Sequence, residues 1–155
     1  MQFAQQMILH HRQAVQVADL AATRADSAAV KALAAQIKTA QDPEIRTMSG
    51  WLTAWGEKVP QPGDDPGMGG MPGMDHGSMP GMMSSAEMVR MASLQGAAFD
   101  KTFLTMMIAH HTGAITMART EQDTGLNPDA KARAVKIEKA QTAEVTRMTA
   151  LMTTG

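Results

Sequence analysis

The sequence predicts an all-α protein in which two similar helical hairpins close into a four-helix bundle, and three observations carry that prediction. Apolar residues recur at helical spacing through both ends of the chain, and no stretch alternates as a strand would. The two ends repeat one another at an offset of one hundred residues. Between them lies a stretch so dense in Gly and Pro that neither a regular helix nor a central strand can form.

The first helix of each half is the best preserved part of the repeat. Phe3, Met7, Ile8, His10, His11, Ala14 and Ala18 recur as Phe103, Met107, Ile108, His110, His111, Ala114 and Ala118. The second helix follows suit: Ala34, Ile37, Ala40, Gln41, Glu44 and Met48 recur as Ala134, Ile137, Ala140, Gln141, Glu144 and Met148, with Ile45 answered by Val145. Asp26 or Ser27 caps the second helix of the first half. Pro43 lies inside that helix, but its counterpart Ala143 sits in unbroken pattern, so Pro43 marks a kink or restart rather than an end. After the crossover, Ser84 and Glu87 form a capping box that opens a short helix ending near Gly96, and Asp100 caps the next long helix. Gly125 reads as the end of that helix, and Asn127 with Pro128 as the cap and first position of the last. The expected organisation is a single domain over residues 1–155: a first hairpin to residue 55, a linker over residues 56–85, then a short helix and second hairpin. A crossover of this length permits a ferritin-like arrangement of the four long helices.

Composition narrows the function. With 14 basic and 15 acidic residues and no run of either sign, nothing favours nucleic acid or an anionic membrane. No apolar stretch is long enough to span a bilayer, which argues against membrane insertion. The absence of Cys rules out disulfides and thiolate metal sites. The other sulfur residue is abundant: 16 Met stand against three Phe, two Trp and no Tyr. Thioethers pack adaptably but specify a core poorly, so this excess asks for a second explanation. The first repeat begins abruptly at Phe3, within a pattern that its copy leads into with GAAFDKTF, so an upstream segment is expected before residue 1.

The paired histidines are the chemical core of the repeat. At about 100° per residue from Met7, His10 falls about 60° to one side and His11 about 40° to the other, flanking a stripe of Phe3, Ala14 and Ala18. Both imidazoles therefore border the buried face, with the Met7 thioether one turn away. On the second helix, Gln41, Glu44 and Met48 share the inward face, so a carboxylate points toward the same interior. Buried polar groups of this kind need partners and should meet. One explanation is a structural hydrogen-bond network that fixes register. The other is ligation, which the repeat supports. Outward positions diverge between halves, as in Arg12 to Thr112, Gln13 to Gly113 and Asp19 to Arg119, while the inward His, His, Gln and Glu stay identical.

Di-iron and di-manganese bundles use Glu-x-x-His on facing helices, and this chain has no Glu-x-x-His. It has Met-x-x-His-His instead. Thioether with imidazole is a soft to borderline donor set suited to copper, Cu(I) above all, while imidazole and carboxylate leave zinc open. The linker repeats the hint. Met68, Met71, Met74, His76, Met79, Met82 and Met83 alternate with Gly and Pro, placing thioethers where no core is expected to use them. A low-complexity spacer is the plain reading; a wrap for a soft monovalent ion is the functional one.

Taken together, FAQQMILHHRQAV, AQDPEIRTMSGWL, MPGMMSSAEM, FDKTFLTMMIAHHTGAITMA and IEKAQTAEVTRM resemble the bacterial family known as domain of unknown function 305, over nearly the whole chain. The resemblance implies a ferritin-like helical bundle and, for some members, export and copper tolerance through Met and His. By position it points to Met7, His10, His11, Met107, His110 and His111 as ligands, with Glu44, Met48, Glu144 and Met148 nearby. Val17 stands where the second copy has Met117, so a ligand there is not shared by the halves. The leading expectation is an exported protein, periplasmic, extracellular or at the cell surface, that buffers or sequesters Cu(I). The alternatives are a metal-dependent oxidoreductase, which is less favoured, and an interaction bundle with structural histidines. No nucleophile with a base and no phosphate loop argues for hydrolysis or phosphoryl transfer.

Overall fold

The computed structural model describes residues 1–61 and 79–153, and among these every regular element is a helix. Helices α1 (Gln2–Arg24) and α2 (Ala28–Ala54) form the first hairpin, α4 (Gly96–Thr124) and α5 (Pro128–Thr153) the second, and the short α3 (Ser85–Ser93) precedes the latter. Each hairpin packs along its own length, and the two meet chiefly through α1 and α4. The all-α expectation holds. Of the candidate ligands in the linker, Met68, Met71, Met74 and His76 lie outside the described residues.

Local chemistry sets the helix ends. The Ser27 hydroxyl accepts the Val30 amide at the start of α2, and the Asn127 side chain accepts the Ala130 amide at the start of α5, where Pro128 needs no donor. The capping box of α3 is complete: Ser84 accepts from the Glu87 amide, and the Glu87 carboxylate accepts from the Ser84 amide at 2.7 Å. Bonds from Ser84 hold the Glu87 carboxyl below its ordinary range. Pro43 does not end α2, which runs through it unbroken. The residue is exposed, so the carbonyl it leaves unbonded one turn back is not trapped in the core.

One boundary differs from expectation. Gly96 opens α4 rather than closing α3, at φ +61, a left-handed conformation suited to glycine. Asp100 therefore lies inside α4 and does not cap it. Its carboxylate instead accepts the backbone N–H of Asp26 at 3.2 Å and of Ser27 at 2.8 Å, tying the start of α2 to the opposite hairpin.

The core falls into two apolar clusters. One joins the C-terminal half of α1 to the N-terminal half of α4, through residues such as Ala14, Val17, Phe99 and Phe103. The other joins Phe3, Met7 and Ile8 of α1 to Ala114, Met117 and Ala118 of α4. That exchange of ends means that α1 and α4 run antiparallel, related by a pseudo-two-fold axis near their centres. Small buried side chains contribute to both clusters, Ala14 and Ala18 to the first and Ala114 and Ala118 to the second.

Candidate metal centre

The polar layer lies where the axis passes between the two clusters. His10, His11 and His111 are fully buried and His110 is 1% exposed. The rings of His10 and His110 face one another, with centroids 3.7 Å apart and planes tilted by 37°. Outside this central pair, each hairpin repeats one contact: His11 Nε2 lies 2.8 Å from Glu44 Oε2, and His111 Nε2 lies 2.6 Å from Glu144 Oε2. The Glu44 carboxylate also lies 4.0 Å from the Arg133 guanidinium of the other hairpin. The inward Glu and His groups do meet, as the repeat implied.

Much of this layer is unsatisfied by protein atoms. His10 Nδ1, His11 Nδ1, His111 Nδ1 and both ring nitrogens of His110 are buried without a hydrogen-bond partner, as are both amide atoms of Gln41 and of Gln141. Buried polar atoms left unpaired are costly, so their concentration on the four His and two Gln of the repeat is the main chemical signal among the described residues. Burial, reinforced by His11 and His111 and opposed by the bond to Pro80, pushes His10 from 6.5 down to about 3. Burial also holds His110 well below 6.5, with His10, His111 and His11 adding to the effect. Both rings are therefore neutral near neutral pH and carry an available lone pair.

Thioethers lie on both sides. Met7 and Met48 belong to one apolar cluster, Met107 and Met148 to the other, and all four are fully buried. Buried imidazole with thioether fits a soft monovalent cation. Among the described residues no three His, Asp or Glu side chains are grouped closely enough to hold a metal ion by themselves, so a site here would draw on the thioethers as well.

The returning end of the linker crosses this layer. Met79 is buried in one cluster and Met83 in the other, while Met82 packs partly buried against the first. For Met79, Met82 and Met83 this corrects the expectation that no core would use the linker thioethers, since residues 79–83 fold onto the bundle. Between those anchors, His10 Nε2 lies 3.0 Å from the Pro80 carbonyl oxygen. The Gln13 side chain pairs with the Met83 backbone in both directions, donating to its carbonyl at 2.9 Å and accepting its N–H at 2.8 Å. Gly113 makes room for the same segment, because a Cβ there would lie 1.9 Å from the Pro80 oxygen. At Gly81, φ +77, a Cβ would lie 2.5 Å from the Ala109 oxygen and 3.0 Å from the His110 Cα. Gln13 and Gly113 are thus not drifting surface positions, as the comparison of halves suggested, but buried contacts to one asymmetric strap. The signal was present: a glycine inside a helix, two residues after His111, marks a close backbone approach.

The exposed divergence at Asp19 and Arg119 has a different cause. Asp19 pairs with Lys38 at 2.5 Å, and Arg119 pairs with Glu138 at 2.7 Å. Both members exchanged sign together.

Fold and layer define a class: a duplicated helical hairpin with histidines buried at its pseudo-two-fold axis. Residues 1–152 match the family described as domain of unknown function DUF305, and the chain belongs to that family. A candidate secreted DUF305 protein from Streptomyces coelicolor is 32% identical, with a TM-score of 0.82 over 96% of this chain and 88% of that one. A DUF305 fragment from Deinococcus radiodurans is 30% identical, with a TM-score of 0.84 over 99% and 95%. CopM in its Cu(II)-bound form is 29% identical, with a TM-score of 0.79 over 98% and 94%, and CopM structures in Cu(I)- and silver-bound forms are also similar. Among curated proteins, none matches the chain.

Proposed function

We propose that this protein binds copper as cargo, Cu(I) in preference, and buffers or sequesters it outside the cytoplasm. One observation carries the reading: four buried imidazoles, with five ring nitrogens unpartnered, lie between two clusters, one holding the fully buried thioethers of Met7 and Met48 and the other those of Met107 and Met148. The bundle donors are His10, His11, His110 and His111, with Met7, Met48, Met107 and Met148. Met68, Met71, Met74 and His76 of the linker form a second donor group, adjoining Met79, Met82 and Met83. Similarity to CopM, whose structures hold Cu(I), Cu(II) and silver, supports the metal, and the candidate secreted neighbour supports export. Soft thioethers favour Cu(I) over zinc.

A second reading has its own observation. The His11–Glu44 and His111–Glu144 contacts satisfy one nitrogen of each ring without any metal, as a layer that merely fixes register would. An anaerobic Cu(I) titration against a competing chelator separates the two, run on wild type and on the His10→Ala/His110→Ala and His11→Ala/His111→Ala variants, with metal analysis of the protein as purified. Weaker binding in either double variant is expected. Unchanged affinity in both, alongside a large loss of stability, would leave the histidines structural and the linker as the remaining donor group.

A further inference from the structure

In each hairpin, one carboxylate holds one particular nitrogen of one histidine. His11 and His111 both turn Nε2 to a glutamate, and both leave Nδ1 buried with no partner. An ionised carboxylate can only accept, so the ring must donate from Nε2. A proton on Nδ1 instead would be a buried donor with nothing to receive it, and the Nε2 lone pair would then face the carboxylate oxygen. The neutral ring held this way carries its lone pair on Nδ1, inside the bundle. His10 obeys the same rule with a different acceptor: its Nε2 lies 3.0 Å from the Pro80 oxygen and its Nδ1 is unpartnered.

We propose that Glu44 and Glu144 are positioning residues rather than ligands, each fixing its histidine in the tautomer that presents Nδ1 as the donor atom of the polar layer. What Nδ1 would bind rests on the copper reading above; the tautomer is a property of the metal-free chain. Three observations favour positioning over ligation. The carboxylates stand at the rim, 15% and 18% exposed, while the imidazoles they hold are fully buried. In each, Oε2 is already engaged by a ring nitrogen. The other oxygen of Glu44 leans toward Arg133, a residue 27% exposed. A carboxylate in this place also makes the opposite nitrogen a stronger donor, as it does behind the histidines of many metal sites.

Long-range proton–nitrogen NMR spectra of the 15N-labelled, metal-free protein test the tautomer directly. Protonated Nε2 and bare Nδ1 are expected at His11 and His111; a protonated Nδ1 with bare Nε2 at either ring would overturn the proposal there. Silver(I) then serves as a redox-silent probe of binding. The Glu44→Gln/Glu144→Gln variant keeps an acceptor oxygen but loses the charge and can flip to present its NH2; where its spectra show Nε2–H retained, Ag(I) affinity should fall by less than in the Ala variant. In Glu44→Ala/Glu144→Ala the tautomer should be released and affinity should fall about 10–100-fold. A comparably large loss in the Gln variant, with its tautomer intact, would make the carboxylates ligands and refute positioning. Should the Ala variant not fold, the wild-type spectra and the Gln variant still decide. Wild-type protein that takes up no Ag(I) would overturn the copper reading alone, because the metal-free spectra report on the carboxylates independently.

Discussion

The rings of His10 and His110 meet across the centre of the bundle with centroids 3.7 Å apart and planes tilted by 37°, each from the same position of its own repeat. Neither can take a proton there at small cost. Their folded-state pKa values lie below the ordinary 6.5, at about 3 for His10 and well depressed for His110. Between the folded and unfolded values the unfolded chain binds more protons, so stability rises with pH in that window. The contribution is complete above about pH 6.5 and is lost as pH falls toward 3. Urea melts of metal-free protein should show stability sloping downward as pH falls from about 7 toward about 4, because burial disfavours protonation of both rings. His10→Ala/His110→Ala should flatten that slope. An equally steep loss in the variant would assign it to other groups.

The strap offers a test that does not involve metal. Gly113→Ala puts a methyl group into the Pro80 backbone, which cannot yield as a flexible side-chain tip would. The substitution should cost about 1–3 kcal/mol despite the better helix propensity of Ala, because the overpacking falls on main chain. At the equivalent position of the other repeat no such penalty applies to Gln13. Denaturant midpoints measure the first effect, and an unchanged midpoint would show that the strap does not rest on α4.

Gln13 tests the other end of the same segment. Gln13→Leu keeps the volume but removes both bonds to the Met83 backbone, leaving a buried N–H and carbonyl without partners at a cost of about 1–3 kcal/mol. Hydrogen exchange at the Met83 amide should accelerate well beyond the change in global stability. Protection equal to that of wild type would mean that the pairing is not what holds the strap.

For the two histidine pairs the expected costs differ in kind. His11→Ala/His111→Ala deprives Glu44 and Glu144 of their buried partners, and should destabilise metal-free protein by about 1 kcal/mol at each partly exposed carboxylate, beyond the cavity term. His10→Ala/His110→Ala removes rings with three unpartnered nitrogens between them and so relieves polar burial. The second variant should therefore retain more stability than the first while losing at least as much Cu(I) affinity. Paired chelator competition and urea melts give both quantities, and the reverse order of stabilities would contradict the assignment of partners.

Much of this architecture is legible in the repeat. Identical inward residues at a fixed offset locate the helices, and the Ser84, Asn127 and Gly125 boundaries follow from local backbone chemistry that needs no tertiary context. His10, His11, Glu44 and their copies are recognisable because a polar residue on an apolar stripe has few explanations. What was not legible is tertiary. Asp100 reads as a cap for its own helix, and only the packing of hairpins turns it toward Asp26 and Ser27. Met79 and Met83 share the local composition of their linker, and nothing short of the folded path separates a core thioether from a solvated one. Asp19 and Arg119 look like drift until Lys38 and Glu138 are seen beside them.

A chain folded as a two-fold dimer of itself has a single connection between its halves, and one connection cannot lie on both sides of the axis. The Met79–Met83 strap reaches His10 through Pro80 and passes the His110 backbone at Gly81, so the two equivalent rings have unequal neighbours: one nitrogen of His10 is engaged, neither of His110 is. Sequence identity between repeats is thus no guarantee of equal affinity. Topology alone obliges two residues at equivalent positions of the repeat to sit in unequal surroundings, one ring held through Pro80 and the other buried with neither nitrogen engaged.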